Sequence, residues 1–315
     1  FEANKGEVIL DQALENNIFL SHSCKTGQCD SCKTMIISGE TAILKPEIAL
    51  KQEDIESGYI LTCCRSALSD LTLNSINLEK FALIKKARIP VKILKLYKVT
   101  NFLIIIDLQL HPESNFQVIP GQYIDLSRSN VKRSYSIMSF DKKNKILRLF
   151  IKNYVNGAMS QYLFHESKIG DLLMIFGPHG TFCYEELESS TKNLFFATGT
   201  GIAPFIAMMN DLEARKSNCS IDLFWGNRYA DEFLDLPDFR FIDLKIYKAL
   251  SQETKDGFFH GYIQDIFSMN NYKNHAISPY ICGSKDMIEC VQNRLIESGY
   301  KGVIATDAFV SNNEG

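Results

Sequence analysis

The alternation of hydrophobic and polar residues changes twice along the chain and divides it into three regions. Up to about residue 79, short strand-like runs and helical patterns surround a cluster of cysteines. From Ile89 to about Glu188, short alternating runs favour an antiparallel barrel. From Lys192, apolar runs alternate with helical patterns, which indicates a parallel sheet. The sequence therefore predicts a multidomain chain: an α+β domain at 1–79, a linker at 80–88, an antiparallel β-barrel at 89–188 and an α/β domain with a parallel sheet at 189–315.

The N-terminal region predicts a small mixed domain. The run Glu7–Leu10 has strand composition, and Asp11 directly after it is a candidate helix N-cap. Strand composition returns at Cys32–Ser38 and at Tyr59–Thr62, and a short acidic helical turn at Gln52–Glu56 lies between them.

The two later regions carry different patterns. Strands of the barrel are predicted at Pro90–Tyr97, Asn101–Leu108, Gln122–Leu126, Arg133–Met138 and Ile146–Lys152. Strands of the parallel sheet are predicted at Leu194–Ala197, Ile221–Trp225 and Tyr280–Cys282, and helices at Pro204–Arg215 and Met287–Ser298.

Composition narrows the class of protein. The chain has 315 residues, 45% of them hydrophobic and 23% charged, which is enough for two or three compact domains. The longest apolar runs are only strand length, whereas a membrane helix needs roughly 20 apolar residues. No basic segment followed by an apolar stretch marks a secretion signal. We therefore expect a soluble, cytoplasmic protein with no membrane span.

Charge excludes one class of partner and favours another. The net charge is −3, and no run of Lys and Arg interleaved with aromatic residues is present, so nucleic-acid binding is not expected. Residues 1–78 contain 11 Asp and Glu against 6 Lys and Arg, whereas residues 79–315 contain 26 against 28. An acidic N-terminal domain suits a protein partner with a basic surface.

Five of the nine cysteines lie close together in the N-terminal region. Four residues separate Cys24 from Cys29, two separate Cys29 from Cys32, and Cys63 and Cys64 follow later. This is the spacing of plant-type ferredoxins, whose thiolates hold a 2Fe–2S cluster. Structural zinc usually uses two CxxC-like pairs, and a disulfide framework is typical of secreted chains, so both alternatives fit less well.

The fourth ligand is either Cys63 or Cys64, because only one of two neighbouring strand side chains can face the cluster. We choose Cys63, since its context Leu-Thr-Cys resembles that of plant-type ferredoxins, and we expect Cys64 to pack in the core. Gly27 lets the loop fold tightly and direct N–H groups at the sulfurs. The predicted metal ligands are Cys24, Cys29, Cys32 and Cys63.

Four motifs follow in order along the rest of the chain: Arg133-Ser-Tyr-Ser136, Asn156-Gly-Ala-Met-Ser160, Gly199-Thr-Gly-Ile-Ala-Pro204 and Cys282-Gly-Ser284. Each motif alone is weak. In this order they resemble the motifs of the ferredoxin–NADP reductase superfamily, over residues 89–315. The resemblance implies FAD in the barrel and NAD(P)H in the α/β domain. With a β-grasp 2Fe–2S ferredoxin domain in front, it describes a reductase of the ferredoxin-fused type.

The resemblance assigns the first motif to the flavin. Arg133 is expected to pair with the flavin pyrophosphate through its planar fork, and Tyr135 to lie on the isoalloxazine. Ser136 is expected to hydrogen-bond the flavin near N5, with Ser134 binding from the same strand. Tyr135 alone would more often be a packed strand aromatic.

The second motif is expected at the start of a helix, beside the flavin phosphates. Asn156, Gly157 and Ser160 can offer backbone and hydroxyl donors to phosphate there. Ser160 alone would more often be a helix cap.

The third motif is the loop that the resemblance gives to the nicotinamide cofactor. Gly199, Thr200, Gly201 and Pro204 join an apolar strand to a helix, and the glycines permit a tight turn and close approach of the cofactor. The loop departs from the GxGxxG fingerprint, which argues against a dehydrogenase of Rossmann type.

Three further positions follow from the resemblance. Cys282 and Gly283 match a strand end near the nicotinamide ring, although Cys282 also suits a buried small hydrophobe. Phe309 matches a C-terminal element that shields the flavin until nicotinamide enters, although a core phenylalanine is an alternative. Ser136, Cys282 and Phe309 are thus the expected catalytic positions.

The choice between NADH and NADPH is expected to depend on the segment Trp225-Gly-Asn-Arg228, because members of the superfamily commonly bind the adenosine of the cofactor at this position. Arg228 is expected either to contact a ribose 2′-phosphate or to remain a solvated surface side chain. The donor stays open between NADH and NADPH, with NADH favoured.

The three expected cofactor sites would serve successive steps of one electron-transfer reaction. NAD(P)H delivers two electrons as hydride, whereas an iron–sulfur cluster accepts one at a time, so a flavin must stand between them. The expected activity is therefore NAD(P)H oxidation, with electrons passing through FAD and the 2Fe–2S cluster to a partner protein.

Longer segments resemble one group, the CDP-6-deoxy-delta-3,4-glucoseen reductases of 3,6-dideoxyhexose biosynthesis: Leu61-Thr-Cys-Cys64, Gly121-Gln-Tyr-Ile-Asp-Leu126, Arg133-Ser-Tyr-Ser-Ile137, Val155-Asn-Gly157 and Asp307-Ala-Phe-Val310. That resemblance implies a pyridoxamine-phosphate dehydratase as the electron-accepting partner. The alternatives are the reductase component of a Rieske or other multicomponent oxygenase, and a flavin-free iron–sulfur carrier or regulator. The family's first ferredoxin strand ends near Phe1, so an edge strand of the β-grasp sheet is not expected here.

Overall fold

A computed structural model describes residues 1–75, 77–184, 191–269, 272 and 276–309. By residue contacts these divide into two compact units. The first contains Phe1–Lys85, Gly180–Phe182 and residues 306–309, and the second contains Lys86–His179 and Cys183–Ala305. The domain boundary predicted between residues 188 and 189 lies outside the described residues, as does Val310.

The first unit is a small α+β structure. Its elements within residues 1–75 are α1 (Ile9–Glu15), β1 (Lys33–Ser38), β2 (Thr41–Ile43), α2 (Gln52–Glu56), β3 (Tyr59–Leu61), β4 (Arg65–Ala67) and β5 (Thr72–Asn74). Strand β1 lies between β3 and β5 and pairs antiparallel with both, and β2 pairs antiparallel with β4. The cysteine loop lies between α1 and β1 in the chain.

The strand predicted at Glu7–Leu10 and the N-cap predicted at Asp11 are wrong. Helix α1 follows its N-cap Val8 directly, and Asp11 lies in the first turn, where a carboxylate stabilises the helix dipole. Leu10 and Ala13 are both fully buried, three residues apart on one helical face. Packing of that face outweighs the strand composition of the segment.

Residues 86–179, all of them described, form a closed six-stranded barrel with a short helix between its last two strands in the chain. Its elements are β6 (Ala87–Lys98), β7 (Leu103–Leu110), β8 (Tyr123–Arg128), β9 (Val131–Asp141), β10 (Ile146–Lys152), α3 (Ala158–Gln161) and β11 (Leu172–His179). All neighbouring strands are antiparallel, in the order β10-β7-β6-β11-β8-β9. Each strand predicted for the barrel has an observed counterpart, whereas β11 was not predicted.

The rest of the second unit is an α/β structure. Its elements are β12 (Lys192–Thr198), α4 (Ile202–Ala214), β13 (Cys219–Asn227), β14 (Ile242–Leu250), β15 (Phe259–His260), α5 (Ile263–Met269), β16 (Ile277–Ser284) and α6 (Lys285–Glu297). Strands β15, β14, β13, β12 and β16 are neighbours in that order, and all are parallel. The last strand, β17 (Ala305–Phe309), begins at the end of the second unit, and its remaining residues belong to the first.

Aromatic side chains fix the centre of the parallel sheet. Phe196 on β12, Phe224 on β13 and Tyr247 on β14 stack in register, with ring centroids 4.7 Å apart at both steps. The carboxyl ends of these strands therefore meet at one edge, where ligands of open α/β sheets bind. The predicted α+β, antiparallel-barrel and parallel-sheet classes are all confirmed. No helix in the described part of the chain is both long and apolar enough to cross a membrane.

Candidate functional site

The four predicted cluster cysteines lie together in the first unit as two pairs. The Sγ atoms of Cys24 and Cys29 are 3.0 Å apart, and those of Cys32 and Cys63 are 3.3 Å apart. Among the described residues, no group of three or more His, Cys, Asp or Glu side chains is arranged to hold a single metal ion. Four thiols in two pairs fit a 2Fe–2S cluster, in which four cysteine thiolates ligate two irons.

Backbone N–H groups point at these sulfurs. The amides of Cys24 and Thr26 donate to the Sγ atoms of Cys29 and Cys24, each over 3.4 Å. The amide of Gly27 donates to the sulfur of Cys63. Such donors stabilise the negative charge on thiolates and on a bound cluster.

In each pair one thiol loses its proton readily. The hydrogen bond from Cys29 lowers the pKa of Cys24 to about 5, although burial opposes this. The hydrogen bond from Cys32 likewise lowers the pKa of Cys63 to about 7. These same bonds, together with burial, raise the pKa of Cys29 and of Cys32. Each pair therefore offers one ready thiolate, and metal binding would displace the proton of the other.

Cys64 has different surroundings from its neighbour. Its Sγ atom is 3.6 Å from the Sγ of Cys63 and 3.6 Å from the carbonyl oxygen of Pro46, and burial raises its pKa to about 12. Gly27 packs closely against both the Pro46 carbonyl oxygen and the Cys64 sulfur. A Cβ at Gly27 would lie 2.2 Å from the Pro46 oxygen and 2.7 Å from the Cys64 sulfur, and its φ of +75° also favours glycine.

The predicted flavin strand is β9, which is held at a buried carboxylate. The hydroxyl of Ser134 donates to Oδ1 of Asp125 on β8 over 2.7 Å. Lys132 and His179 lie 3.2 Å and 3.5 Å from the other oxygen of Asp125. Burial alone would raise the pKa of Asp125, but the contacts with His179, Ser134 and Lys132 outweigh it and hold that pKa below its usual range. Asp125 had no signal of its own in the sequence.

The other residues of the flavin motif lie on the same strand. Tyr135 packs against the barrel core, and burial raises its pKa, which keeps the phenol neutral. Ser136 is buried and stands opposite Tyr123 of β8. Arg133 is half-buried, and its Nη1 atom donates to the carbonyl oxygen of Lys132 over 2.7 Å.

The second motif forms a tight loop into α3. Gly157 is the N-cap of this four-residue helix, and Asn156 is exposed beside it. The buried hydroxyl of Ser160 accepts from the amide of Tyr154 over 3.1 Å. The amide of Gly157, predicted to face a phosphate, donates here to the carbonyl oxygen of Tyr154. The helix is too short for a large dipole, so individual donors would have to bind phosphate.

The third and fourth motifs meet at the carboxyl ends of β12 and β16. A Cβ at Gly201 would lie 2.3 Å from the carbonyl oxygen of Cys282, and one at Gly283 would lie 2.2 Å from Oγ1 of Thr198. Only glycine allows these backbones to pack so closely. A Cβ at Gly199 would meet nothing within 4 Å, so there is open space beside this turn for a ligand.

The remaining loop residues complete this edge of the sheet. Thr200 lies in the same short turn, and Pro204 is buried in the first turn of α4. Trp225 donates from Nε1 to the carbonyl oxygen of Gly199 over 3.3 Å, which ties the end of β13 to the turn. Cys282 is fully buried.

Arg228 follows β13 and is exposed. Burial, and after it the charge of Arg228, lowers the pKa of Lys152 at the end of β10. The carboxylate of Glu232 accepts from the amides of Arg228 and Tyr229 over 2.8 Å and 3.3 Å. A cavity of about 450 Å³ adjoins this loop, and Asp231, Glu232, Glu253 and Lys255 are among its lining residues. Phe309, the last predicted residue, ends β17 half-buried in the first unit.

Family models match three parts of the chain. Residues 1–68 match a 2Fe-2S iron-sulfur cluster binding domain. Residues 90–184 match an oxidoreductase FAD-binding domain, and residues 195–293 match an oxidoreductase NAD-binding domain. The cofactors expected from the sequence, a 2Fe–2S cluster, FAD and a nicotinamide dinucleotide, are therefore confirmed at the level of domains.

Relatives match almost the whole chain. It is 33% identical to the CDP-6-deoxy-L-threo-D-glycero-4-hexulose-3-dehydrase reductase of Yersinia pseudotuberculosis serotype I, covering 98% of this chain and 95% of that protein. It is 26% identical to the toluate 1,2-dioxygenase electron transfer component of Pseudomonas putida, covering 95% and 90%. The fold is similar to that of the Amycolatopsis cytochrome P450 reductase GcoB, with a TM-score of 0.74, 22% identity and coverage of 98% and 96%. The resemblance to deoxysugar dehydrase reductases expected from the sequence is thus confirmed.

Proposed function

The chain belongs to the family of iron–sulfur flavoprotein reductases that includes the Yersinia hexulose-3-dehydrase reductase, and we therefore propose that it oxidises NADH and passes the electrons through FAD and a 2Fe–2S cluster to a deoxysugar dehydrase. The observation that carries the proposal is the presence, in one chain, of four paired thiols and of a glycine turn with open space beside it. When bound, the flavin supplies the step from a two-electron donor to a one-electron acceptor.

We assign the residues of the first unit to the cluster. Cys24 and Cys29 would hold one iron, and Cys32 and Cys63 the other, as their sulfur pairs suggest. Cys64 is left to the core because its sulfur faces the Pro46 carbonyl. The backbone N–H groups of Thr26 and Gly27 donate to ligand sulfurs, and these bonds would stabilise the negative charge of the cluster.

We assign strand β9 and the α3 loop to FAD. Arg133 would leave the Lys132 carbonyl and pair with the pyrophosphate, Tyr135 would cover the ring, and Ser136 would meet its reactive edge. Ser134 would orient the strand through Asp125 as well as touch the cofactor. The donors expected at the phosphates are Asn156, Gly157 and Ser160.

We assign the edge of the parallel sheet to the nicotinamide. Gly199, Thr200, Gly201 and Pro204 would support the pyrophosphate and ribose, and Cys282 and Gly283 the nicotinamide ring. Phe309 would cover the flavin until the ring enters. These positions orient a hydride donor and exclude water from the transfer.

We propose NADH as the favoured donor because the cavity beside the loop that carries Arg228 has a net acidic lining. Asp231, Glu232 and Glu253 outnumber the single cation Lys255 there, and this charge disfavours an added 2′-phosphate. Glu232 also binds the backbone on which Arg228 lies, so the carboxylate cannot move away from it easily.

The partner that we propose is the pyridoxamine-phosphate dehydratase expected from the sequence resemblance, and the relative's name agrees in naming a CDP-6-deoxy-L-threo-D-glycero-4-hexulose-3-dehydrase. The relatives named for this role are more similar to the chain than the toluate dioxygenase component, at 33% against 26% identity. The alternative acceptor is the oxygenase component of a Rieske or other multicomponent system. We also propose the cytoplasm as the compartment, since ligand thiols must stay reduced.

Anaerobic reduction of the purified holoprotein tests the proposed order of electron transfer, from NADH through FAD to the 2Fe–2S cluster. Addition of NADH, and separately of NADPH, is expected to bleach the flavin absorbance and then to give the electron paramagnetic resonance signal of a reduced 2Fe–2S cluster, faster with NADH. Absence of flavin, or of the cluster signal after flavin reduction, would refute the proposed chain. The partner is tested by adding the purified hexulose-3-dehydrase or a dioxygenase component and comparing NADH consumption.

A further inference from the structure

Two neighbouring residues of strand β17 hydrogen-bond the cysteine loop of the first unit. The hydroxyl of Thr306 donates to Oδ1 of Asp30 over 2.9 Å, and the hydroxyl of Ser31 donates to the carbonyl oxygen of Thr306 over 2.9 Å. The hydroxyl of Ser23 donates to the carboxylate of Asp307. These partners are at least 275 positions apart in the sequence, so the contacts exist only because of the fold.

The residues of the cysteine loop that make these hydrogen bonds lie next to its three predicted ligands, Cys24, Cys29 and Cys32. Ser23 directly precedes Cys24, and Asp30 and Ser31 are the two residues between Cys29 and Cys32. The contacts therefore hold both ends of the loop that would carry the cluster.

Burial makes these bonds specific. Ser23, Thr306 and Asp307 are 5%, 7% and 5% exposed, so water does not replace a missing partner easily. Since Asp307 accepts from Ser23, and Thr306 both donates and accepts, the strand can fit the loop in one register only.

A second distant segment holds the chain just before the loop. The amide of His22 donates to the hydroxyl of Thr181 over 2.7 Å, and the amide of Thr181 donates back to the carbonyl oxygen of His22 over 3.2 Å. This segment, Gly180–Phe182, also belongs to the first unit. Residues 1–85 alone therefore lack part of the structure that supports the cysteine loop.

We propose that Thr306 and Asp307 are positioning residues for electron transfer, which act by fixing the cysteine loop and through it the cluster. The inference rests on the proposed function, since it needs a cluster that receives electrons from the flavin. Phe309, assigned above to the flavin, lies only two residues beyond Asp307 on the same strand. Because Thr306 and Asp307 hold the loop that would carry the cluster, a shift of this strand would change the placement of the cluster.

The test compares the two electron steps in holoprotein variants. Thr306→Val keeps the volume of the side chain and removes its hydroxyl, and Thr306→Ser restores the hydroxyl. Stopped-flow mixing with NADH follows flavin bleaching first and cluster reduction second, and the cluster is counted by the signal after dithionite reduction. Thr72→Val, an exposed threonine of the same unit, is the matched control.

With Thr306→Val we expect flavin bleaching at the parent rate and cluster reduction slowed by about twofold or more, because the cysteine loop then loses a bond that fixes the position of the cluster. The resonance spectrum of the reduced cluster should also change, and Thr306→Ser should restore both. Ser23→Ala, which removes the bond to Asp307, should act in the same direction.

Parent-like cluster reduction, per cluster present, in both Thr306→Val and Ser23→Ala would overturn the inference. Slowing that Thr306→Ser fails to reverse would do the same, because the hydroxyl would then not be the cause. Failure of the proposed function looks different, since the parent protein itself would then show no flavin bleaching or no cluster signal with NADH.

Discussion

The Sγ atom of Cys63 lies 3.3 Å from that of Cys32, whereas the sulfur of the adjacent Cys64 lies 3.6 Å from the carbonyl oxygen of Pro46. Two neighbouring thiols thus face different partners, as expected of consecutive residues leaving a strand. On this difference we base the proposal that Cys63, and not Cys64, completes the set of four ligands.

Replacement of each cysteine separately tests the ligand assignment. We expect Cys63→Ser to lose most of the 2Fe–2S cluster, and Cys64→Ser to retain it. The measurement is iron and sulfide content together with the visible spectrum of the purified variants. The reverse pattern, with cluster lost only in Cys64→Ser, would show that Cys64 is the ligand.

Gly27 should tolerate no side chain. A Cβ would meet the Pro46 oxygen at 2.2 Å and the Cys64 sulfur at 2.7 Å, and the residue also has a φ of +75°. We expect Gly27→Ala to load far less cluster than the parent, while NADH still reduces the flavin. Gly58→Ala is the control, because Gly58 also has a positive φ, of +80°, but open space around it. Equal iron content in the two variants would contradict the prediction.

These two predictions concern features that could be identified in the sequence, because cysteine spacing and a glycine between ligands involve only residues that are near one another in the chain. The pattern of hydrophobic and polar residues likewise indicated the three classes of domain. What it missed depends on distant partners. The role of Asp125 follows from the pairing of β8 with β9, and the contacts of Thr306 follow from a return of the chain after 275 residues. The start of helix α1 was placed too late because the packing of Leu10 and Ala13, and not strand composition, determines the form of this segment.

Asp125 should make the stability of the barrel depend on pH. Its pKa in the folded chain is below the ordinary value of 3.8, so the carboxylate stabilises the fold above that pH, and the contribution is lost as the pH falls below it. We expect Asp125→Asn to lower the free energy of unfolding by about 1–3 kcal/mol at neutral pH, since the contacts of this buried carboxylate with Ser134, Lys132 and His179 weaken. Chemical denaturation at pH 7 and near pH 3 checks this, and the difference between variant and parent should shrink at the lower pH.

Gly201 should be essential to the nicotinamide edge. Because a Cβ there would lie 2.3 Å from the Cys282 carbonyl oxygen, Gly201→Ala must push β16 away from the turn. We expect loss of NADH-dependent flavin reduction by about a hundredfold, the order found when positioning is disturbed by about 1 Å, with the flavin still bound. Photoreduction of the flavin in the same variant is the control, and it should still deliver electrons to the cluster. Parent-like reduction by NADH would show that this edge does not receive the nicotinamide.

Arg228 should distinguish the two nicotinamides. It is exposed beside a cavity lined by Asp231, Glu232, Glu253 and Lys255, and its positive charge would attract a 2′-phosphate there. We expect Arg228→Ala to raise the KM for NADPH by about tenfold, the effect of losing one charge-assisted hydrogen bond, and to leave the KM for NADH within about twofold. Steady-state reduction of ferricyanide, with either donor, measures both constants without the physiological acceptor. Arg215→Ala, on the exposed end of α4, serves as the control for loss of a surface arginine. Equal effects on the two donors would mean that Arg228 supports the adenosine or the fold, and that the donor preference is set by other residues.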